Sequence, residues 1–241
     1  MDIIPIMPDA VIRIDDLSFA YPDWRQALRS VSLVVRKGES VAIMGTNGAG
    51  KSTLAMHFNG ILMGTGRVEV MGVEVNKKNL RDVRNKVWLV FQDPDDQLFS
   101  PTVKEDVAFG PLNQGLTPGE VEHTVSRALA WVGMEGFDNR SSHHLSFGEK
   151  KRLSLATVLS MDPEILVLDE PVSNLDPRGR REFIDLIGRL DATKIIVTHD
   201  LPMAREVCNR VILMDKGAIV ADGRPSATLA DEVLLEKHGL I

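Results

Sequence analysis

Apolar residues along the chain follow two patterns. Four runs are apolar at nearly every position: VAIMG at 41–45, VWLVF at 87–91, ILVLD at 165–169 and IIVT at 195–198. Strands apolar on both faces belong to parallel sheets covered by helices. Between these runs the spacing changes to three and four. Val121, Val125, Leu129 and Val132 share one face and predict a helix from about Gly119 to Val132. Further helices are predicted along STLAMHFNGIL from Ser52, from Phe147 to Met161, and from Pro177 to Leu190, where proline suits the first helical position. The N-terminal third alternates with a period of two. AVIRIDDLSFAY, LRSVSLVVRKGE and GRVEVMGVEV read as antiparallel strands, and RVILMDKGAIVADG (210–223) as a hairpin around Lys216-Gly217. The pattern predicts an α/β fold with a mainly parallel core, an antiparallel β portion, a helical insertion at about 95–160 and a helix near Ala230–Lys237.

Composition narrows the functional classes. A hydrophobic content of 44% over 241 residues supports a packed core. No apolar run approaches the roughly 18 residues needed to span a bilayer, and no secretion signal is visible. A net charge of -6 argues against nucleic acid, whose binders carry a basic face. The single cysteine, Cys208, excludes an internal disulfide and is expected as a small buried hydrophobe.

Candidate chemistry begins at GTNGAGKST, 45–53, which fits G-x-x-x-x-G-K-[ST] between a strand and a helix. Gly48 and Gly50 let the backbone curl so that N–H groups face phosphate oxygens, and the helix start adds its positive end. Lys51 supplies a mobile cation for the β- and γ-phosphates, and Ser52 a hydroxyl for Mg²⁺. Asp169 ends a buried strand, where parallel sheets collect ligands, and suits Mg²⁺. Glu170, pointing elsewhere, suits an attacking water. His199 and Gln92 end two more apolar runs at the same edge. The stretch HHLSFGEKKR (143–152) admits three readings: metal site, nucleophile or anion site. Adjacent His143 and His144 lack a third ligand at a known spacing, and Ser146 lacks a nucleophile elbow. Lys150, Lys151 and Arg152 oppose the dipole of the helix they start, and at least one is expected to face water.

Together these motifs resemble the nucleotide-binding subunits of ATP-binding cassette (ABC) transporters from about Val11 to Gly223. The resemblance implies a P-loop NTPase, RecA-like fold: a single domain over 9–223, with a core at about 9–94 and 162–223, a helical signature subdomain at about 95–161, and an extension at 224–241. It implies ATP and Mg²⁺ as cofactors. Gly45, Thr46, Asn47, Gly48, Ala49, Gly50, Lys51, Ser52 and Thr53 form the Walker A site, and Tyr21 stacks on adenine. Lys51, Gln92, Glu170 and His199 take catalytic roles, with Glu170 the base, and Ser52, Gln92 and Asp169 hold the metal. SNLD, Ser173 to Asp176, matches the D-loop. LSFGE resembles the signature, usually LSGGQ or LSGGE, through which Ser146 and Gly148 would bind ATP held by a second copy of the subunit. Phe147 replaces a glycine there, and its backbone is expected to be helical or extended with the ring turned from nucleotide.

HFNGIL (57–62), VFQDPDDQLFSPTVKEDVAFGPLN (90–113), HHLSFGEKKR (143–152) and LDEPVSNLDPRGRREF together resemble ATPases of energy-coupling-factor importers, most of all the cobalt and nickel branch. That implies a peripheral protein on the cytoplasmic face of the membrane, a homodimer, and integral-membrane coupling and substrate-binding subunits as partners, with no nucleic acid. Asp93, Asp95 and Asp96 would form an acidic groove for an arginine-bearing cytoplasmic helix. Alternatives are an importer for a vitamin or other micronutrient, and a non-transport ATPase of the same fold.

Overall fold

The structure, a computed structural model, describes residues 9–241 and places the four continuous apolar runs side by side in one sheet. The chain runs β1 (Ala10–Ala20), β2 (Gln26–Arg36), β3 (Ser40–Met44), α1 (Lys51–Phe58), β4 (Thr65–Val70), β5 (Val73–Glu74), α2 (Leu80–Arg84) and β6 (Val87–Val90). It continues through α3 (Val103–Gln114), α4 (Pro118–Trp131), α5 (Phe147–Leu159), β7 (Ile165–Asp169), α6 (Pro177–Gly188) and β8 (Thr193–Val197). Last come α7 (Leu201–Val207), β9 (Arg210–Asp215), β10 (Ala218–Gly223), α8 (Pro225–Thr228) and α9 (Glu232–Lys237).

The main sheet has the order β10-β9-β3-β8-β7-β6, parallel except for the β10 edge. An antiparallel sheet, β2-β1-β4-β5, covers part of it. The continuous apolar runs have a simple cause: successive side chains serve two cores. Ala42, Met44, Leu166, Leu168 and Ile196 pack toward α3, α4, α5 and α6. Val41, Ile43, Ile165, Val167, Ile195 and Val197 pack toward α1 and the antiparallel sheet. Burial of each of the larger of these side chains, Val, Leu, Ile or Met, contributes about 1.5–3 kcal/mol. Because β3, β6, β7 and β8 are parallel and in register, their C-terminal ends share one edge.

Helix starts follow the capping chemistry of the sequence. Thr102 with Glu105, Thr117 with Glu120 and Ser146 with Glu149 form capping boxes, and Asp176 caps α6 by accepting from Gly179 N at 2.8 Å. α1 ends at Phe58, short of the predicted Leu62, because Gly60 turns left-handed at φ 67°. α9 begins at Glu232, behind an Asp231 cap, rather than at Ala230. α7 is absent from the periodicity; Asp200 capping Met203 N, with Pro202 in the first turn, is the signal that marks it.

The β9–β10 hairpin turns where expected, with Lys216 and Gly217 both at positive φ. Its tip has a second role. Gly217 N donates to Ala49 O at 3.0 Å, and Gly217 O accepts from Arg29 N at 2.8 Å. A Cβ on Gly217 would stand 2.6 Å from Ala27 O. This glycine therefore joins the phosphate loop to the antiparallel sheet.

Candidate active site

The loop between β3 and α1 needs glycine for its shape. Gly50 caps α1 at φ 101°, and a Cβ there would stand 2.5 Å from Ala27 O. Lys51 Nζ curls back onto the loop, donating to Gly45 O at 2.8 Å and Thr46 O at 3.1 Å. Burial holds its ammonium below the usual range, against the pull of Glu170 and Asp169.

One cleft of about 380 Å³ gathers Tyr21, Asn47, Gly48, Gly50, Lys51, Ser52, Thr53, Gln92, Glu170 and His199. Gly45, Thr46 and Ala49 lie behind it: the first two offer carbonyls to Lys51, and Ala49 is buried. Tyr21 forms one wall, its hydroxyl 3.0 Å from Thr53 Oγ1. Phe19 meets Tyr21 edge-on at 5.1 Å and His57 at 5.0 Å, while His57 Nδ1 lies 2.7 Å from Thr53 O. Burial pushes the His57 imidazolium below its usual range. The sequence reading missed this support, and also Arg25, whose guanidinium stands 5.2 Å from the Tyr21 ring centre in the same cleft. Nothing in the residue pattern around 25 marks it.

Glu170 is 7% exposed and adopts φ 42°, a strained backbone for this residue. Its N–H donates to Val197 O at 2.8 Å, and its carboxylate accepts from Thr198 Oγ1 and pairs with His199 Nδ1. Asp169, next to it, faces a second cavity shared with Ser52, Gln92, Asp93, Asp96, Phe147 and Asn174. Burial, with the neighbouring Glu170 charge, raises the Asp169 carboxyl above the usual range; a Ser52 hydrogen bond and the two lysines Lys51 and Lys151 oppose it. Asp169 Oδ1 is buried with no hydrogen-bond partner among the described residues. An orphaned carboxylate oxygen beside a serine hydroxyl and a glutamine is a hard-oxygen set that fits Mg²⁺.

Ser146 and Gly148 do not join the cleft of their own chain. They open on a separate hollow with Phe147, Arg152, Asn174, Asp176 and Arg178. Phe147 is helical, as expected, and lines both this hollow and the Asp169 cavity of its own chain. The expectation that at least one of the three cations faces water is met only in part, by Arg152, whose side chain is 31% exposed. Lys150 pairs with Asp95 at 2.6 Å, Arg152 with Glu182 at 3.5 Å, and Lys151 is fully buried, donating to two backbone carbonyls. Among the described residues no cluster of His, Cys, Asp and Glu suits a metal-ligand set of three or more, and His143 and His144 are exposed.

The three aspartates of the expected acidic groove are exposed: Asp93 caps the short turn 94–96, Asp95 pairs with Lys150, and Asp93 and Asp96 line the Asp169 cavity. The open groove nearby is apolar, lined by Ile61, Trp88, Phe91, Phe99, Phe109 and Met161. Its one carboxylate is Asp106, whose Oδ1 accepts from Phe99 N and Ser100 N while Oδ2 has no partner. Among the described residues no helix is long and apolar enough to cross a membrane.

Residues 28–173 match the family model described as ABC transporter. A Streptomyces coelicolor protein provisionally named an ABC transporter ATP-binding protein is 55% identical, covering 97% of this chain and 91% of its own. The energy-coupling factor transporter ATP-binding protein EcfA of Methanocaldococcus jannaschii is 48% identical over 95% of this chain and 85% of its own. CbiO1 of Clostridium perfringens, part of the ABC transporter complex CbiONQ, superposes with a TM-score of 0.84 at 38% identity, covering 96% and 95% of the two chains. A dimeric ATP-binding cassette bound to ADP and Pi superposes with a TM-score of 0.80 at 26% identity, covering 89% and 98%. The expected P-loop α/β fold is therefore established, and the chain belongs to the ABC transporter family as an ATP-binding subunit, an ATPase coupled to transport.

Proposed function

We propose that this chain powers an energy-coupling-factor importer of a transition-metal ion, cobalt first and nickel next, by pairing with a second copy around two ATP molecules. One observation carries the pairing: Tyr21, the phosphate loop, Gln92, Glu170 and His199 share a cleft, whereas Ser146 and Gly148 of the same chain open elsewhere. A second copy, turned head to tail, brings its α5 start to that cleft. Similarity to EcfA and to CbiO1 supports the importer class, and the resemblance of residues 57–62 and 90–113 supports the metal. The cobalt over nickel order rests on resemblance alone.

In this reading Tyr21 takes the adenine face and residues 45–53 the phosphates. Ser52, Asp169 and Gln92 would hold Mg²⁺, which would supply positive charge to the triphosphate. Glu170, oriented by Thr198 and His199, accepts the proton of the attacking water. Lys51 leaves the carbonyls of Gly45 and Thr46 for the triphosphate. A short helix of the membrane coupling subunit enters the apolar groove, and an arginine on it meets the exposed aspartates of residues 93–96. The importing assembly then holds the chain at the cytoplasmic face of the membrane.

The test is co-purification of the tagged chain with membrane subunits, followed by uptake in vesicles. ATP-driven Co²⁺ or Ni²⁺ uptake is expected. Uptake of a vitamin instead, by the same assembly, replaces the substrate; association with no membrane protein refutes the importer.

A further inference from the structure

Lys151 is buried to 0% exposure, and among the described residues its side-chain hydrogen bonds go to backbone carbonyls, not to a carboxylate. Its Nζ donates to Gln92 O at 2.6 Å and to Glu170 O at 3.1 Å. The Phe147 ring, one turn earlier on α5, covers the ammonium at 5.7 Å. Desolvating a cation is expensive, and burial brings this ammonium down to about 8 although Asp169, Asp93 and Glu170 pull it upward. A buried methionine of similar length would fill the space without that cost. What the ammonium adds is a tie between backbone carbonyls, and both carbonyls belong to residues at the nucleotide cleft. Lys151 itself does not line that cleft.

The other end of the tie is α5. Ser146 caps this helix and Gly148 lies in its first turn, so Lys151 is part of the same rigid element, five residues from the cap. The helix start opens on one hollow, and its lysine reaches into the backbone of another.

We infer that Lys151 is a positioning residue that links the two nucleotide sites of the pair, tying the α5 start that caps the partner's ATP to the backbone of Gln92 and Glu170 in its own chain. This rests on the head-to-tail pairing proposed above. A helix start that moves to meet a triphosphate carries the ammonium with it and shifts both carbonyls. Glu170, already at a strained φ of 42°, then changes its aim at the attacking water. One site therefore reports its occupancy to the other through a single side chain.

Mixed dimers of the full chain, purified through two different tags, test this by ATP turnover against a reference of one wild-type and one Glu170→Gln copy. In the first pair, one copy carries Lys151→Met and the other Glu170→Gln, so the only working base belongs to the Lys151→Met copy. Turnover is expected to fall at least tenfold, with the ATP dissociation constant changed by less than threefold. In the second pair, one copy carries both substitutions and the other is wild type. The working base then has its own lysine, while the capping helix lacks one; turnover is expected within twofold of the reference. Loss in both pairs, or in neither, overturns the inference. If Lys151→Met does not fold, Lys151→Gln, whose amide NH₂ ends one atom short of the lysine Nζ and so loses the tie, is measured in the same two pairs with the same criterion. ATP-driven dimerisation of the Glu170→Gln homodimer separates the two ideas: no pairing refutes the dimer itself, while pairing with equal rates in both mixed dimers refutes only the role of Lys151.

Discussion

Nδ1 of His199 lies 2.9 Å from Oε1 of Glu170, and Thr198 Oγ1 donates to the second carboxylate oxygen at 3.3 Å. Two donors on one buried carboxylate fix its plane and leave its reactive lone pair toward the cleft. Glu170→Gln keeps the shape and removes the base. Turnover is expected to fall at least about 100-fold while a Mg-ATP-dependent dimer accumulates on size exclusion. His199→Ala should lower kcat by about 100-fold with a smaller change in nucleotide affinity, because it removes an orienting group at the cleft. Brisk hydrolysis by the glutamine variant refutes the base.

Lys51 is prepositioned by two loop carbonyls, yet it is free to exchange them for phosphate oxygens. Lys51→Ala should weaken ATP binding at least about tenfold, the scale of a charge-assisted hydrogen bond. Titration with a fluorescent ATP analogue gives the answer; unchanged affinity removes the lysine from the triphosphate.

Gly50→Ala tests the loop geometry. The substitution combines φ 101° with a Cβ 2.5 Å from Ala27 O, a backbone atom that cannot swing away. Strain and overpacking together should cost about 2–4 kcal/mol. Urea unfolding should show a lower midpoint at an unchanged slope.

Phe99 and Phe109 stack edge to face at 4.9 Å, and both are exposed in the apolar groove. Phe109→Asp should reduce retention of the membrane subunits roughly 30-fold, the loss expected for an aromatic anchor, and leave ATP binding intact. Retention equal to wild type moves the docking surface elsewhere.

Cys208 behaves as the buried hydrophobe expected from the sequence, and burial pushes its thiol from 9.0 up to about 12. At pH 8 its alkylation should be about 1,000-fold slower in the native chain than after unfolding, from the thiolate fraction alone. The folded state holds this proton more tightly than the unfolded state. Stability should therefore fall as pH rises from about 9 toward about 12, seen as a falling melting temperature.

The residues of the cleft were legible because the motifs carry their own local structure. A glycine loop after a buried strand, and acids and a histidine at the ends of parallel strands, must share an edge once the strands pair in register. Helix starts at Pro118, Phe147 and Pro177 could be read from periodicity and turn residues. What the sequence hid depends on contacts far apart in the chain. Lys151 looked like a surface cation because its acceptors, the carbonyls of Gln92 and Glu170, are 59 and 19 residues away. Asp95 looked free because its partner, Lys150, is 55 residues distant. Side chains paired over such distances change from surface charges to internal struts, and no local pattern announces the change.

Gly217 leaves one more consequence. Its two hydrogen bonds clasp Ala49 on one side and Arg29 on the other, so the aromatic wall and the phosphate cradle are bolted to a common hinge pin. A nucleotide whose base rested on that wall would therefore meet a phosphate cradle already held in alignment with it.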